Sequence, residues 1–572
     1  MKVNFNKKAI AAALVLTSLI GCDNSNNENT QQEIKFTPNS TVQKTFNGSY
    51  QGALSEDGVL SWLGIAYAEQ PVDALRWKKT KPLLSWEGVR EATSFGEKCL
   101  QKNTVNGKVI GNESCLFLNI WRPDNTDESL PVMVFLHGGG NLNGSGEDFI
   151  GDQLSKATNS VVISINYRLG PMGFLTLPAL KDGDKLTDSG NFGTLDAIEA
   201  LNWVQANIAS FGGDKNNITL AGQSAGARNV LALILSPLSK GLIHKAFAMS
   251  GGMTIADSSE GQAFAEKFVS DLLVKHKFVS DESEAAQYMQ NPENVVHFLR
   301  SLPASDLVSQ MQDVAIRMAP FPHLFNDGNV LPVDGFHEIA VGNYQQIPLM
   351  LGSTKSEFAT FAFFDPNLGI YPKLVTGTLF QDTETLRLFS LSKNYGSRIY
   401  SGFALENVVD TLANNPKQPA IYGYRFSWSD LGQVTKQPAA LLGATHGFDV
   451  DFVTGREDSQ INASFGGALY TDANKNGRVA LVNSIQGYLK NFMLTGNPNG
   501  SGLVQWDTAN SGSIQLLDAD YENAHISNTV EWQEKDVVLT EMEQSLSTSD
   551  YSFIKDTILS GRFFMDYWKD SN

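Results

Sequence analysis

The stretch Ile218-Thr219-Leu220-Ala221-Gly222-Gln223-Ser224-Ala225-Gly226 decides how this chain folds. A short apolar run enters a Gly-x-Ser-x-Gly pentapeptide, and the small-residue, helix-compatible stretch Ala225 to Leu235 follows. That context puts a serine on a tight strand-to-helix turn, with its hydroxyl raised above the strand end. The glycines two residues to either side have a steric job. The turn strains the backbone, and a Cβ at either place would collide with the neighbouring strand or helix.

Outward from this turn, short apolar runs alternate with helical patterns. The strand candidates are Pro131 to Leu136, Val161 to Ile165, Ile218 to Ala221, Ala246 to Met249, Ile347 to Leu351 and Ala420 to Phe426. Runs this apolar are expected where a strand is covered on both faces, so the sheet should be largely parallel with helices on either side. Leu195, Ile198, Leu201, Val204 and Ile208 recur at helical spacing, and Gly212-Gly213 then stops the helix. Residues 255–345 are helix-rich and polar, with breaks at Asn291-Pro292 and Leu302-Pro303, and read as an insertion over the sheet. Residues 365–415 also read as helical, without a placement. The α/β pattern continues with no repeat, so residues 41–572 are expected to form one catalytic domain.

A serine hydroxyl needs a neighbouring imidazole to take its proton, and the imidazole needs a carboxylate to fix its tautomer and stabilise its charged form. His446 stands in the small-residue turn Gly443-Ala444-Thr445-His446-Gly447, and Glu357 directly follows the run Ile347 to Gly352. Both positions are loops at strand ends, where α/β sheets present catalytic groups. The order Ser224, Glu357, His446 is the order of the α/β-hydrolase fold. His137-Gly138-Gly139-Gly140 follows the strand Pro131 to Leu136 and matches the glycine-rich loops that supply N–H donors to an oxyanion. The residue after the nucleophile, Ala225, would add a further N–H.

The N-terminus is an address. Lys2, Lys7 and Lys8 precede the apolar stretch Ala9 to Ile20, which is too short to span a bilayer. It ends Leu19-Ile20-Gly21-Cys22, which resembles the lipobox of bacterial lipoproteins. Residues 1–21 would then be a cleaved signal, Cys22 would carry lipid, and residues 22–40, rich in Asn, Gln, Glu and Thr, would be a flexible tether. The protein would be anchored to a membrane of the cell envelope, facing the periplasm or exterior. An ordinary secretory signal is the alternative. There are 3 cysteines, and lipidation of Cys22 would leave Cys99 and Cys115 to pair in an oxidising compartment or to stay as separate buried thiols. The formal charge of −18 argues against nucleic acid or anionic headgroups bound through a basic surface.

Together these segments resemble the type-B carboxylesterases, the group of cholinesterases and bacterial para-nitrobenzyl esterases. Leu63 to Ala68 with Leu75-Arg76-Trp77 is similar to the family's N-terminal segment, and Glu113 to Trp121 to its second signature. Asn166 to Gly170, Asn207-Ile208, Phe211 to Asp214 and Thr495 to Asn499 fall in register with further motifs, so the likeness runs over roughly residues 45–510. The resemblance implies an α/β-hydrolase fold with helical insertions over the active site. It implies Ser224 as nucleophile, Glu357 as acid and His446 as base, with the N–H groups of Gly139, Gly140 and Ala225 as oxyanion donors. It also implies a Cys99–Cys115 disulfide and metal-free hydrolysis of carboxylic esters without a cofactor. Amide or lactone hydrolysis at the same site is one alternative. A catalytically silent adhesion module is another, although such relatives typically lack the nucleophile.

Departures from the family narrow the substrate. Cholinesterases hold a quaternary ammonium with a Trp inside this cysteine loop, but residues 100–114 contain no aromatic. Gln223 stands where cholinesterases have Glu, and Asn141 where many members have an aromatic. Choline esters are therefore not expected as special substrates. Asp472 to Gly477 begins like a calcium loop, but Asn483 stands where the bidentate Glu belongs, so it reads as a helix-entry loop.

Overall fold

The computed structural model describes residues 34–565 apart from 105, 312–313, 435–436, 438, 460–461 and 464–465. The signal at residues 1–21, Cys22 and the tether up to residue 33 lie outside the described residues.

Among the described residues, eleven strands form the main sheet. In chain order they are β1 (Ala53–Leu54), β2 (Val59–Ala66), β3 (Phe117–Pro123), β4 (Leu130–Leu136), β5 (Val161–Ile165), β6 (Gly213–Gln223), β7 (Lys245–Met249), β8 (Leu349–Thr354), β9 (Ile421–Phe426), β10 (Ile514–Ala519) and β11 (Ala524–Thr529). Their order across the sheet is β1-β2-β3-β5-β4-β6-β7-β8-β9-β10-β11. Pairings from β5 to β10 are parallel, and the edges at β1 to β3 and at β11 are antiparallel. All six apolar runs fall on strands of the parallel portion.

Strand alternation explains why those runs are apolar throughout. Along β4, Val132, Val134 and Leu136 point into one core while Met133 and Phe135 point into another. The first core is covered by α1 (Phe192–Asn207), which buries Leu195, Ile198, Leu201 and Val204, and by α2 (Ala225–Leu235). Helix α3 (Ser258–Lys275) opens the insertion after β7 and joins the same core through Phe268, Leu272 and Leu273.

Residues 365–415 now have a place. Helix α4 (Thr383–Ser401) continues through one π turn into Asn407–Ala413, and its Tyr395, Ile399 and Tyr400 enter a third core. The second core is closed by α5 (Lys475–Thr495) with Leu481, Ile485, Tyr488 and Phe492. The stretch from Asp472 is the entry to this helix, where Thr471 and Asn474 cap each other reciprocally. Helix α6 (Lys535–Ser545) and the following turns add Val538, Met542, Ile558 and Phe564 to the third core.

Cys99 and Cys115 form a disulfide. Phe36, within the segment read as tether, is buried beneath the Arg122 guanidinium, 3.8 Å from its ring centre. Among the described residues no helix is long and apolar enough to cross a membrane.

Candidate active site

Ser224 sits between β6 and α2 at φ 57°, ψ −122°, a conformation that costs a non-glycine residue on the order of 1–3 kcal/mol. Its N–H donates to the Met249 carbonyl at 2.8 Å, and its own carbonyl accepts from Arg228 N–H at 3.1 Å, which pins the turn from both sides. The glycine argument holds in atomic detail. A Cβ on Gly222 would lie 2.5 Å from the Gly226 carbonyl, and one on Gly226 would lie 2.6 Å from the His137 oxygen and closer still to that of Leu136.

Glu357 is fully buried just past the end of β8. Its Oε2 accepts from His446 Nδ1 at 2.6 Å. Its Oε1 accepts from the Ser250 hydroxyl at 2.6 Å and from Thr354 N–H at 2.7 Å. A carboxylate is acceptor-only, so Nδ1 carries the proton and the neutral imidazole keeps its lone pair on Nε2. That nitrogen lies 3.1 Å from Gln223 Nε2, the residue before Ser224. Ser224 Oγ makes no hydrogen bond to the ring in this state. The rings of Phe361 and Tyr400 flank the imidazole at 5.1 and 5.5 Å between centres. Tyr400 in turn packs edge-on against Phe563 and Phe564.

The glycine loop crosses beside the serine. A Cβ on Gly138 would lie 3.1 Å from Ser224 Cβ and 2.8 Å from Gln223 Oε1. Gly139 and Gly140 adopt φ 93° and 67°. Neither of their N–H groups, nor that of Ala225, donates to any described residue. Behind the loop, Tyr167 donates to the His137 carbonyl at 2.7 Å and stacks on the His137 ring. Asn141 exchanges two amide hydrogen bonds with Asn229 of α2, at 3.0 and 2.9 Å. The structure therefore brings together Ser224, Glu357, His446, Gly139, Gly140 and Ala225.

A carboxylesterase-family model matches residues 39–376 and 393–553. This chain belongs to the carboxylesterase family. The esterase is 30% identical over 504 residues to the para-nitrobenzyl esterase of Bacillus subtilis, covering 84% of this chain and 95% of that one. It is 30% identical to the juvenile hormone esterase of Heliothis virescens over 515 residues, covering 80% of this chain and 86% of the other. A solved PNB esterase superposes with a TM-score of 0.67 at 28% identity, covering 87% of this chain and 99% of that one. The fold is that of the α/β-hydrolases, and the protein is a carboxylic ester hydrolase of the serine type.

Two contributors to the esterase site escape a reading of the sequence. Ser250, which holds Glu357 Oε1, was signalled only by its place at the end of β7, next to the nucleophile strand. Gln223 departs from the cholinesterase pattern in the sequence, but its reach to the His446 imidazole depends on packing between Gly138 and Gly447.

Proposed function

We propose that this esterase cleaves carboxylic esters through an acyl-enzyme on Ser224. His446 Nε2 takes the Ser224 proton as Oγ bonds to the carbonyl carbon, and the carbonyl electron pair moves onto oxygen. The N–H groups of Gly139, Gly140 and Ala225 receive that oxyanion. When the tetrahedral adduct collapses, the bond to the alkoxy oxygen breaks and the imidazolium protonates the leaving alcohol. Water then repeats the sequence. It gives a proton to Nε2, attacks the acyl carbon and releases the acid, and Oγ regains its proton. Glu357 keeps the imidazole in the reactive tautomer and stabilises its charged form.

The observation that carries this reading is the 2.6 Å bond from His446 Nδ1 to a fully buried Glu357, which leaves the Nε2 lone pair beside the Ser224 turn. The three N–H groups without acceptors support the oxyanion role. An organophosphonate should label the protein stoichiometrically at Ser224, and Ser224→Ala should abolish both labelling and hydrolysis of a short p-nitrophenyl ester. Equal hydrolysis by the two proteins would overturn the mechanism.

We also propose that Cys22 carries the lipid that tethers the enzyme in the cell envelope. The run Leu19-Ile20-Gly21-Cys22 supports this, as does a disulfide suited to an oxidising compartment. Radiolabelled palmitate should enter the wild-type protein and not Cys22→Ala, and label in both would refute it.

A further inference from the structure

Arg228 lies one turn beyond Ser224 on α2, and its backbone N–H donates to the Ser224 carbonyl. Helical side chains lean back over the preceding turn, so this guanidinium leans toward the nucleophile. It is 4% exposed. The other buried arginines all have strong acceptors. Arg76 pairs with Glu113, Arg168 with Asp196, Arg425 with Glu406, Arg478 with Glu457 and Arg562 with Asp365, while Arg122 is ringed by carbonyls. The Arg228 guanidinium has neither a hydrogen bond nor an ion pair among the described residues. Its one close partner is the ring of Phe563, 4.5 Å from its carbon centre.

A buried charge without a partner is expensive, and such an arrangement is retained where something arrives to pair with it. The neighbours do not supply that charge. Tyr167 and Tyr400 lie close enough to interact electrostatically, but their hydroxyls donate to the carbonyls of His137 and Ser250. His323 donates from Nδ1 to the Phe321 carbonyl, and its Nε2 is sealed without a partner. Both oxygens of Glu357 are taken. Within the guanidinium itself, Nε is sealed and unpartnered, whereas the two terminal nitrogens are not among the sealed atoms and so keep some accessibility. Tyr400 packs edge-on against the His446 imidazole and Tyr167 backs the glycine loop, which places Arg228 beside the reaction centre. Phe563 lies beyond the residues matched by the family model, so the family likeness does not account for the pair.

We propose that Arg228 binds a free carboxylate on the substrate, so that the preferred substrates are esters carrying their own carboxylate a few bonds from the scissile carbonyl. A guanidinium suits this task because its two terminal N–H groups match a carboxylate in bidentate geometry and its charge does not titrate away. The same cation disfavours quaternary ammonium esters, in keeping with the cysteine loop that lacks an aromatic. This inference rests on the ester-hydrolase reading above.

The test compares charged and neutral esters of matched length. Monoethyl succinate against ethyl butyrate places the carboxylate on the acyl side, and 3-acetoxypropanoate against propyl acetate places it on the alcohol side. In Arg228→Met, the ratio of kcat/KM for the charged ester to that for the neutral one should fall about tenfold to a hundredfold in one of the two pairs, and that pair names the side. Arg228→Lys should retain part of the ratio. Succinate should inhibit neutral-ester hydrolysis by the wild type and weaken as an inhibitor of Arg228→Lys. Reading ratios separates recognition from a general loss of packing against Phe563. If Arg228→Met lowers all four substrates equally, or alters none, Arg228 is a packing residue and the proposal is overturned. In that case wild-type turnover of the neutral esters still upholds the ester-hydrolase reading. A wild type inactive on all four and unlabelled by the organophosphonate overturns both.

Discussion

The side-chain amide of Gln223 faces His446, its Nε2 3.1 Å from the imidazole Nε2, the nitrogen to which the proposed mechanism gives the Ser224 proton. The residue before Ser224 thus contacts the His446 ring directly. Replacing the amide with a carboxylate should favour the imidazolium by direct charge attraction. In Gln223→Glu the acid limb of the kcat/KM profile should therefore move to higher pH. A profile superimposable on the wild type would show that residue 223 does not address the ring during turnover.

Ser250 positions Glu357, because its hydroxyl donates to the carboxylate oxygen that His446 does not use. Ser250→Ala leaves that oxygen with the Thr354 N–H alone. Hydrogen bonds to charged groups are strong enough that kcat should fall about tenfold or more, with KM little changed. A kcat within twofold of wild type would remove Ser250 from the machinery.

Gly226→Ala would press a methyl group into the carbonyls of Leu136 and His137 at the root of the glycine loop. Backbone cannot swing aside as a side chain can, so unfolding in urea should show a loss of about 1–3 kcal/mol. Activity should fall further than stability does, since the displaced carbonyl adjoins the oxyanion donors. Gly512→Ala, with open space around it at φ 78°, controls for glycine conformation alone and should leave the esterase rate intact.

Burial pushes the Asp518 carboxyl up to about 7, against hydrogen bonds from Ala519 N–H and Gln433 that pull it down. An unfolded aspartate titrates near pH 4. Between about pH 4 and pH 7 the native state holds the extra proton, so this group's contribution to stability shrinks as pH rises through that window. Asp518→Asn keeps an acceptor for both partners and adds a donor toward the sealed Gln433 Oε1. The variant should melt above wild type at pH 8 and together with it at pH 4. A gap of the same size at both values would rule out titration of Asp518 as its cause.

The parallel strands could be read from the sequence because burial on both faces removes polar residues from the run, as in Val132 to Leu136. The edges could not. Strand β11, Ala524–Thr529, pairs on one side only and keeps exposed His525, Ser527 and Asn528, so its pattern is that of a loop. Strand β2 is broken by a register shift between Trp62 and Ile65, where Gly64 turns to φ 72°. Ser224 and Glu357 stood out because each closely follows a strand, and His446 because it stands in a turn of small residues, which the fold reaches only after the helix Ala439–Leu442. Arg228 was hidden within a helix of small and apolar residues. Only the fold brings Phe563 over it and leaves it without a carboxylate partner among the described residues, and helix periodicity carries no information about either.

Tyr400 stands between the catalytic imidazole and the pair Phe563 and Phe564, while Arg562 beside them is locked to Asp365. The wall behind the base is thus laid down long after the base itself has been synthesised. A nascent chain that already contains Ser224, Glu357 and His446 still lacks the rings that pack on Tyr400 and cover Arg228. The packing behind the His446 ring is therefore complete only when residues 563 and 564 join it.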